Sequence, residues 1–169
     1  PLNEIAHHEL AQLQMRLGRF QEAIESEKRA IYLAPNSYEY QNGLGEIYLF
    51  QRDYDKAILE MNKALKLNAD HHPSYRWLSK VYMLKQDYKK ALEYYDIYSK
   101  MSGKFDDPSN FPGGLAQIYG YIGQKQKALD LINTFLENNS VETINTFLML
   151  QLALTYTSIN DVENALMWL

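Results

Sequence analysis

A short motif returns along this chain at a fixed interval, and that return limits the architecture more than any single residue does. Gly18-Arg19-Phe20-Gln21-Glu22-Ala23-Ile24, Arg52-Asp53-Tyr54-Asp55-Lys56-Ala57-Ile58 and Gln86-Asp87-Tyr88-Lys89-Lys90-Ala91-Leu92 lie 34 residues apart, and segments 123–129 and 160–166 continue the series. With alanine as the marker, Ala23, Ala57, Ala91, Ala128 and Ala165 are spaced 34, 34, 37 and 37. A repeat of this length is one supersecondary unit that cannot bury its apolar face alone, so neighbouring copies must stack.

Within a copy the apolar spacing is helical. Leu44, Ile47 and Tyr48 fall at i, i+3 and i+4, and Ala57, Ile58, Met61, Ala64 and Leu65 repeat the pattern. Short polar joints such as Gln51-Arg52-Asp53 and Ile159-Asn160-Asp161 fold two such helices into an antiparallel hairpin. Between hairpins, Pro35-Asn36-Ser37 and Asp70-His71-His72-Pro73 supply stops, N-cap side chains and a proline preset for a first helical turn. The expectation is an all-α chain of five units over about 4–37, 38–71, 72–108, 109–145 and 146–169.

The period and residue types resemble the tetratricopeptide repeat, whose signature runs W-x2-L-G-x2-Y, then A-x3-F, then A and P. Leu44, Gly45, Tyr48, Ala57 and Ala64 occupy those slots in the second unit, and Leu78, Tyr82, Ala91 and Tyr95 in the third. The signature tryptophan is replaced by His7, Gln41, Tyr75, Pro112 and Met149, and the closing proline survives only as Pro35. These are divergent repeats. The resemblance implies a right-handed α-α superhelix, a tetratricopeptide solenoid with a concave surface lined mainly by the first helix of each pair, and a role in protein–protein interaction. Small residues such as Gly45 and Ala57 let the helices approach, while Tyr48 fills the gap beside them.

Two irregularities interrupt the period. The first three-residue gain falls around Ser102 to Pro108, read as a loop, and Pro112, Gly113 and Gly114 then crowd the next helix. That crowding signals a late helix start with close packing, or else a hinge or a backbone left bare for a ligand. At the other end the second helix of the last unit has only about seven residues after its joint, too few to stand alone. The chain therefore reads as a fragment of a longer one that continues beyond Leu169, with Trp168 packing on that continuation.

Composition narrows the function. Seventeen Lys+Arg against 21 Asp+Glu give a net charge of −4, the wrong sign for a phosphate backbone, which argues against nucleic acid and against the RNA-binding pentatricopeptide alternative. The chain has no cysteine and no Gly-rich phosphate loop, and its four histidines form two adjacent pairs. No enzyme, cofactor or metal site is expected from such a set. His7-His8 reads as a solvated helix face and His71-His72 as a turn. Apolar runs reach only five residues, against about 20 for a bilayer span. With no cysteine, the cytoplasm is the default location.

Stepping the first helices by the repeat spacing predicts the groove residues. One row holds Asn42 and Arg76, the next Glu46, Lys80 and Gln117, with Trp77 and Tyr121 alongside. Trp77 has Gly43 and Gly114 as row neighbours, so room on both sides of the ring is expected. An aromatic anchor beside cations is a combination enriched at binding hot spots. The preferred ligand is an acidic or carboxylate-bearing peptide with an apolar side chain; the plain alternative is that Trp77 packs on its neighbours while Arg76 and Lys80 stay solvated. Some tetratricopeptide proteins clamp a C-terminal carboxylate with a lysine and asparagines, and that clamp is not reproduced here. A second reading is a regulatory or self-assembly segment of a larger bacterial signalling protein, associating through C-terminal units where only 3 basic and 7 acidic residues lie between 104 and 169.

Overall fold

The computed structural model describes residues 3–103 and 112–169. It contains ten α-helices among the described residues: α1 Glu4–Arg16, α2 Phe20–Leu33, α3 Tyr38–Phe50, α4 Tyr54–Leu67, α5 His72–Leu84, α6 Tyr88–Ser102, α7 Gly113–Tyr121, α8 Lys125–Asn138, α9 Thr146–Ser158 and α10 Val162–Met167. The chain divides into two compact units, Pro1–Lys85 and Gln86–Leu169, with the boundary at the joint of the third hairpin. The loop read at Ser102 to Pro108 lies outside the described residues from Lys104 onward.

Each joint is built the same way. Gly18, Arg52, Gln86, Gly123 and Asn160, spaced 34, 34, 37 and 37, all adopt left-handed φ between +58° and +79°. A left-handed residue lets the next backbone N–H reach back and close the preceding helix: Asp53 N–H donates to the Tyr48 carbonyl at 2.9 Å and Asp161 N–H to Tyr156 at 2.9 Å. At three of the five joints the following side chain then caps the second helix; Arg19 and Gln124 make no such cap. Asp53, Asp87 and Asp161 accept from the backbone N–H three residues on, at 3.3, 3.2 and 3.2 Å.

In the first unit α1 packs on α2 and α3 on α4, with α3 also meeting α1, α2 and α5. Ala11, Ala23, Ile47, Ala57, Met61, Leu78 and Val81 are fully buried. A Cβ at Gly45 would stand 2.8 Å from Met61 Cγ, so the absent side chain sets the α3–α4 approach. In the second unit Ala128, Ile132, Phe135, Ile144, Leu152 and Tyr156 form one apolar cluster. Trp168 packs against this same cluster. At the end of α10 the half-buried indole thus meets its own core.

The second three-residue gain has a visible place. Four residues join α2 to α3 and α4 to α5, whereas the stretch from Asn139 to Asn145 joins α8 to α9 and contains a 3-10 turn, Val141–Thr143. The turn delivers Ile144 into the core, so the insertion is packed rather than looped out. Helix α7 begins late, with no side-chain cap, and a Cβ at Gly114 would lie 3.3 Å from the Tyr95 ring. The glycine crowding there accompanies close packing.

Candidate functional site

The first unit carries the candidate site. Ser37 caps α3 by accepting from the Tyr40 N–H at 3.2 Å, and Pro73 sits in the first turn of α5. These starts bring Asn42 opposite Ser74. Asn42 Nδ2 donates to Glu46 Oε1 at 2.6 Å, Ser74 Oγ donates to Asn42 Oδ1 at 2.9 Å, and His71 Nδ1 lies 2.8 Å from Ser74 Oγ. With its own proton committed to Asn42, the Ser74 hydroxyl accepts from His71, a bond that a neutral imidazole protonated on Nδ1 makes. Burial pushes the His71 pKa down, which favours that neutral form.

Glu46 leads from this seam to the aromatic residues. Burial raises its pKa above the usual carboxylate range, while nearby Arg76 and hydrogen bonding from Asn42 and Trp77 pull it back. The Arg76 guanidinium stands 4.6 Å from the Trp77 ring centroid, and the Phe50 ring meets Trp77 edge-on at 6.1 Å and 69°. Beside them opens a cleft of about 430 Å³ lined by Leu49, Phe50, Trp77 and Leu84 together with Arg52, Tyr54 and Lys80. Burial lowers the Lys80 pKa, and among the described residues no carboxylate pairs with it. A second, polar cleft of about 320 Å³ lies between α1, α3 and α5 and includes His8, Glu9, Arg16, Glu39 and Glu46.

Below the polar cleft lies a feature absent from the sequence reading. Glu27 on α2 is 0% exposed, and both its oxygens face His8 Nδ1, at 2.9 and 3.0 Å. A side chain at Gly43 would collide with Glu27 Oε1, so the glycine makes the space that the carboxylate fills. His8, expected on a solvated face, is instead half-buried on Glu27, with its ring 5.0 Å from that of Tyr40. The Cβ position at Gly43 is thus taken up by Glu27 and His8, while Gly43 also lines the polar cleft.

The seven residues expected to line one groove divide by environment. Arg76 is exposed; Glu46, Trp77 and Lys80 are half-buried; these four belong to the first unit with Asn42. Asn42 is only 4% exposed and is spent on Glu46 and Ser74, and in the second unit Gln117 is 3% exposed and donates to Gln151 Oε1 at 3.0 Å. Both side chains make internal hydrogen bonds toward the neighbouring hairpin, and Asn42 also lines the polar cleft. Tyr121, 45% exposed, stacks on Tyr88 at 5.3 Å and 14°. The cleft walls Leu49, Phe50 and Leu84 fall in the rows that stepping by the repeat spacing gives, Phe50 and Leu84 at one repeat position 34 residues apart. Among the described residues no three His, Asp or Glu converge as a possible metal site, and no helix is long and apolar enough to cross a membrane.

Comparison with known proteins places the architecture. A thermophilic tetratricopeptide protein of Thermus thermophilus superposes with a TM-score of 0.77 at 18% identity, covering 98% of this chain and 87% of that one. A Podosopora anserina putative kinesin light chain with nearly identical tetratricopeptide-like repeats gives 0.72 at 19%, over 96% and 89%. YrrB, described as a tetratricopeptide protein with an unusual peptide-binding site, gives 0.62 at 18%, over 98% and 82%. No curated protein sequence matches. Tetratricopeptide repeat family models match residues 5–37 and 42–102, more than half of the sequence between them. Their matches follow the same 34-residue hairpins that the left-handed joints close, and the chain belongs to the tetratricopeptide repeat family.

Proposed function

We propose that this chain is a scaffold that binds a peptide or protein segment on the helix faces of its first unit, without chemistry of its own. The tetratricopeptide fold supports protein–protein interaction in general. The observation that carries the finer reading is the exposed Arg76 guanidinium over a half-buried Trp77, beside an open, mainly apolar cleft. Aromatic and arginine side chains at a partly desolvated cleft are the usual composition of an interaction hot spot. The ligand is an acidic or carboxylate-bearing segment, for which Arg76, Lys80 and Arg52 supply the charge. YrrB, whose name mentions a peptide-binding site, has the same fold and lends the reading support by analogy only.

Affinity capture from source-cell lysate tests it, comparing this chain with an Arg76→Glu, Trp77→Ala double variant, after circular dichroism shows both folded. Trp77→Ala alone is expected to weaken a captured partner by more than about 1 kcal/mol in titration calorimetry. Equal capture by both chains removes the groove from the account.

A second reading has an observation of its own. In the second unit Phe147, Leu150 and Leu154 on α9, and Leu166 and Met167 on α10, are exposed apolar side chains. They favour a self-assembly or regulatory segment of a larger signalling protein. A concentration-independent monomer mass in light scattering argues against self-assembly through this chain.

A further inference from the structure

We propose that the outer face of α1 docks a second copy of this chain, in an antiparallel two-fold pairing with the partner's α1. This pairing is independent of the scaffold reading and concerns α1 rather than the exposed side chains of α9 and α10. Ala6, Leu10, Leu13 and Leu17 are spaced 4, 3 and 4 residues apart, which is the seam of a helix made to meet another helix. Leu13 and Leu17 are 55% and 62% exposed. The repeat shows what these positions ordinarily do. Leu44 and Leu78 stand where Leu10 does in the next two hairpins, Ile47 and Val81 stand where Leu13 does, and all four are buried. In those hairpins the preceding one covers the seam, with α2 packed on α3 and α4 on α5. On α1 the same face is left open.

The charges beside the seam make this face complementary to itself. Glu9 and Arg16, one heptad apart, flank it on the side of the polar cleft; both are exposed, and among the described residues neither has an ion-pair partner. In an antiparallel pair Leu10 packs on the partner's Leu13 and Leu13 on the partner's Leu10, with Ala6 opposite the partner's Leu17 at each end. That register sets Glu9 beside the partner's Arg16 and Arg16 beside the partner's Glu9, so two ion pairs close over the apolar layers. A parallel pairing sets Glu9 against the partner's Gln14 and leaves both charges unanswered. Because residue i faces j while j faces i, one patch serves both subunits, and a second copy is the occupant that satisfies it. Two thirteen-residue helices make a contact smaller than a standard interface of about 1,600 Å², so the dimer is weak and concentration-dependent.

Sedimentation velocity on the whole chain between ~10 µM and ~1 mM tests the proposal. The mass is expected to rise from one chain toward two. Leu13→Glu, at an exposed position, is expected to raise the dissociation constant roughly tenfold or more with the circular dichroism spectrum unchanged. The charges give the sharper reading. Glu9→Arg and Arg16→Glu, each alone, set like charges against each other at both ends of the seam and are each expected to weaken the dimer roughly tenfold. Mixing the two variants in equal amounts restores both pairs with their signs exchanged, so the mixture is expected to dimerise as the natural chain does although neither component does so alone. Both substitutions lie on the surface, so their loss and recovery cannot come from misfolding. A monomer at every concentration overturns the proposal and leaves the face to a helix of another protein. Single-charge variants that dimerise as well as the natural chain, or a mixture no better than its components, overturn the antiparallel register and the proposal with it. A dimer untouched by Leu13→Glu and dissolved by Leu154→Glu places self-association on α9 and overturns it as well.

Discussion

The two units solve one packing problem with different materials. In the first, polar contacts tie helices within and between hairpins: the His8–Glu27 pair between α1 and α2 of one hairpin, and the Glu46–Asn42–Ser74–His71 chain between α3 and α5 of successive ones. In the second, the equivalent volume holds Ile132, Phe135, Ile144, Leu152 and Tyr156, and Gln117–Gln151 is the side-chain hydrogen bond between α7 and α9 given by the described residues. Family models match residues 5–37 and 42–102 and stop where the spacing lengthens to 37. Yet the joint geometry and the buried alanine persist through Asn160 and Ala165. A hairpin of this kind is therefore specified by turn and helix spacing, and the material between helices is free to vary.

The largest effect that could break this contrast comes from the apolar core. Phe135→Ala is expected to destabilise the second unit by about 3–5 kcal/mol, the usual range for emptying a packed aromatic site. Amide hydrogen exchange should then show lost protection in α7 to α9 with α1 to α4 unchanged. Equal loss in both would make them one cooperative body and dissolve the comparison.

The next effect probes the polar seam. His8→Ala leaves a fully buried carboxylate without its partner and is expected to cost about 3 kcal/mol near neutral pH, read from chemical denaturation. The wild-type pH slope follows from the directions of the shifts. Glu27 holds the His8 pKa above 6.5, and complete burial holds the Glu27 pKa above 4.5. In both cases the folded state binds protons more tightly than the unfolded one, so stability is full at low pH and falls as pH rises. The loss begins above about 4.5 for Glu27 and above about 6.5 for His8. In the second unit Asp161, capped onto Asn164, is shifted downward, so its contribution is present above about 3.8 and lost on acidification. Between pH 5 and 8, exchange protection should decline in α1 and α2 and stay level in α9 and α10.

The smallest effect sharpens what the units share. Arg52→Gly and Asn160→Gly are each expected to stabilise by up to about 1 kcal/mol, because both residues hold left-handed backbone that glycine adopts freely. Gly18→Ala and Gly123→Ala are expected to destabilise by a similar ~1 kcal/mol, in line with the left-handed penalty. Thermal melts of the four variants suffice; opposite signs in the two units would end the claim that the joint is common to both.

Much of the fold was legible because its determinants are local. The spacing of 34 and then 37 residues marked every joint, and the five marker alanines are all buried. The site was legible only in part. Arg76 and Trp77 are adjacent in sequence, so their stacking needed no knowledge of tertiary rotation, whereas Asn42 and Gln117 lie in the predicted rows but turn toward Ser74 and Gln151. Stepping by the period identifies equivalent positions without saying how far each helix is rotated about its axis. The His8–Glu27 pair was illegible for the same reason, since 19 residues and two helix orientations separate its members. At Gly43 the missing side chain makes room for the neighbouring Glu27 carboxylate, a use that the sequence pattern does not distinguish from room for a ligand.

That last feature has a consequence for how such chains diverge. Gly43 and Glu27 share one volume, so the two positions are coupled: a methyl group at 43 forces the carboxylate to shift away from His8, and a shorter residue at 27 leaves a void beside His8. The two sites behave as a single hereditary character spread over two codons. Descendants that trade the ion pair for an apolar contact must change both, and an intermediate carrying only the new side chain at 43 would pass through a valley of lower stability.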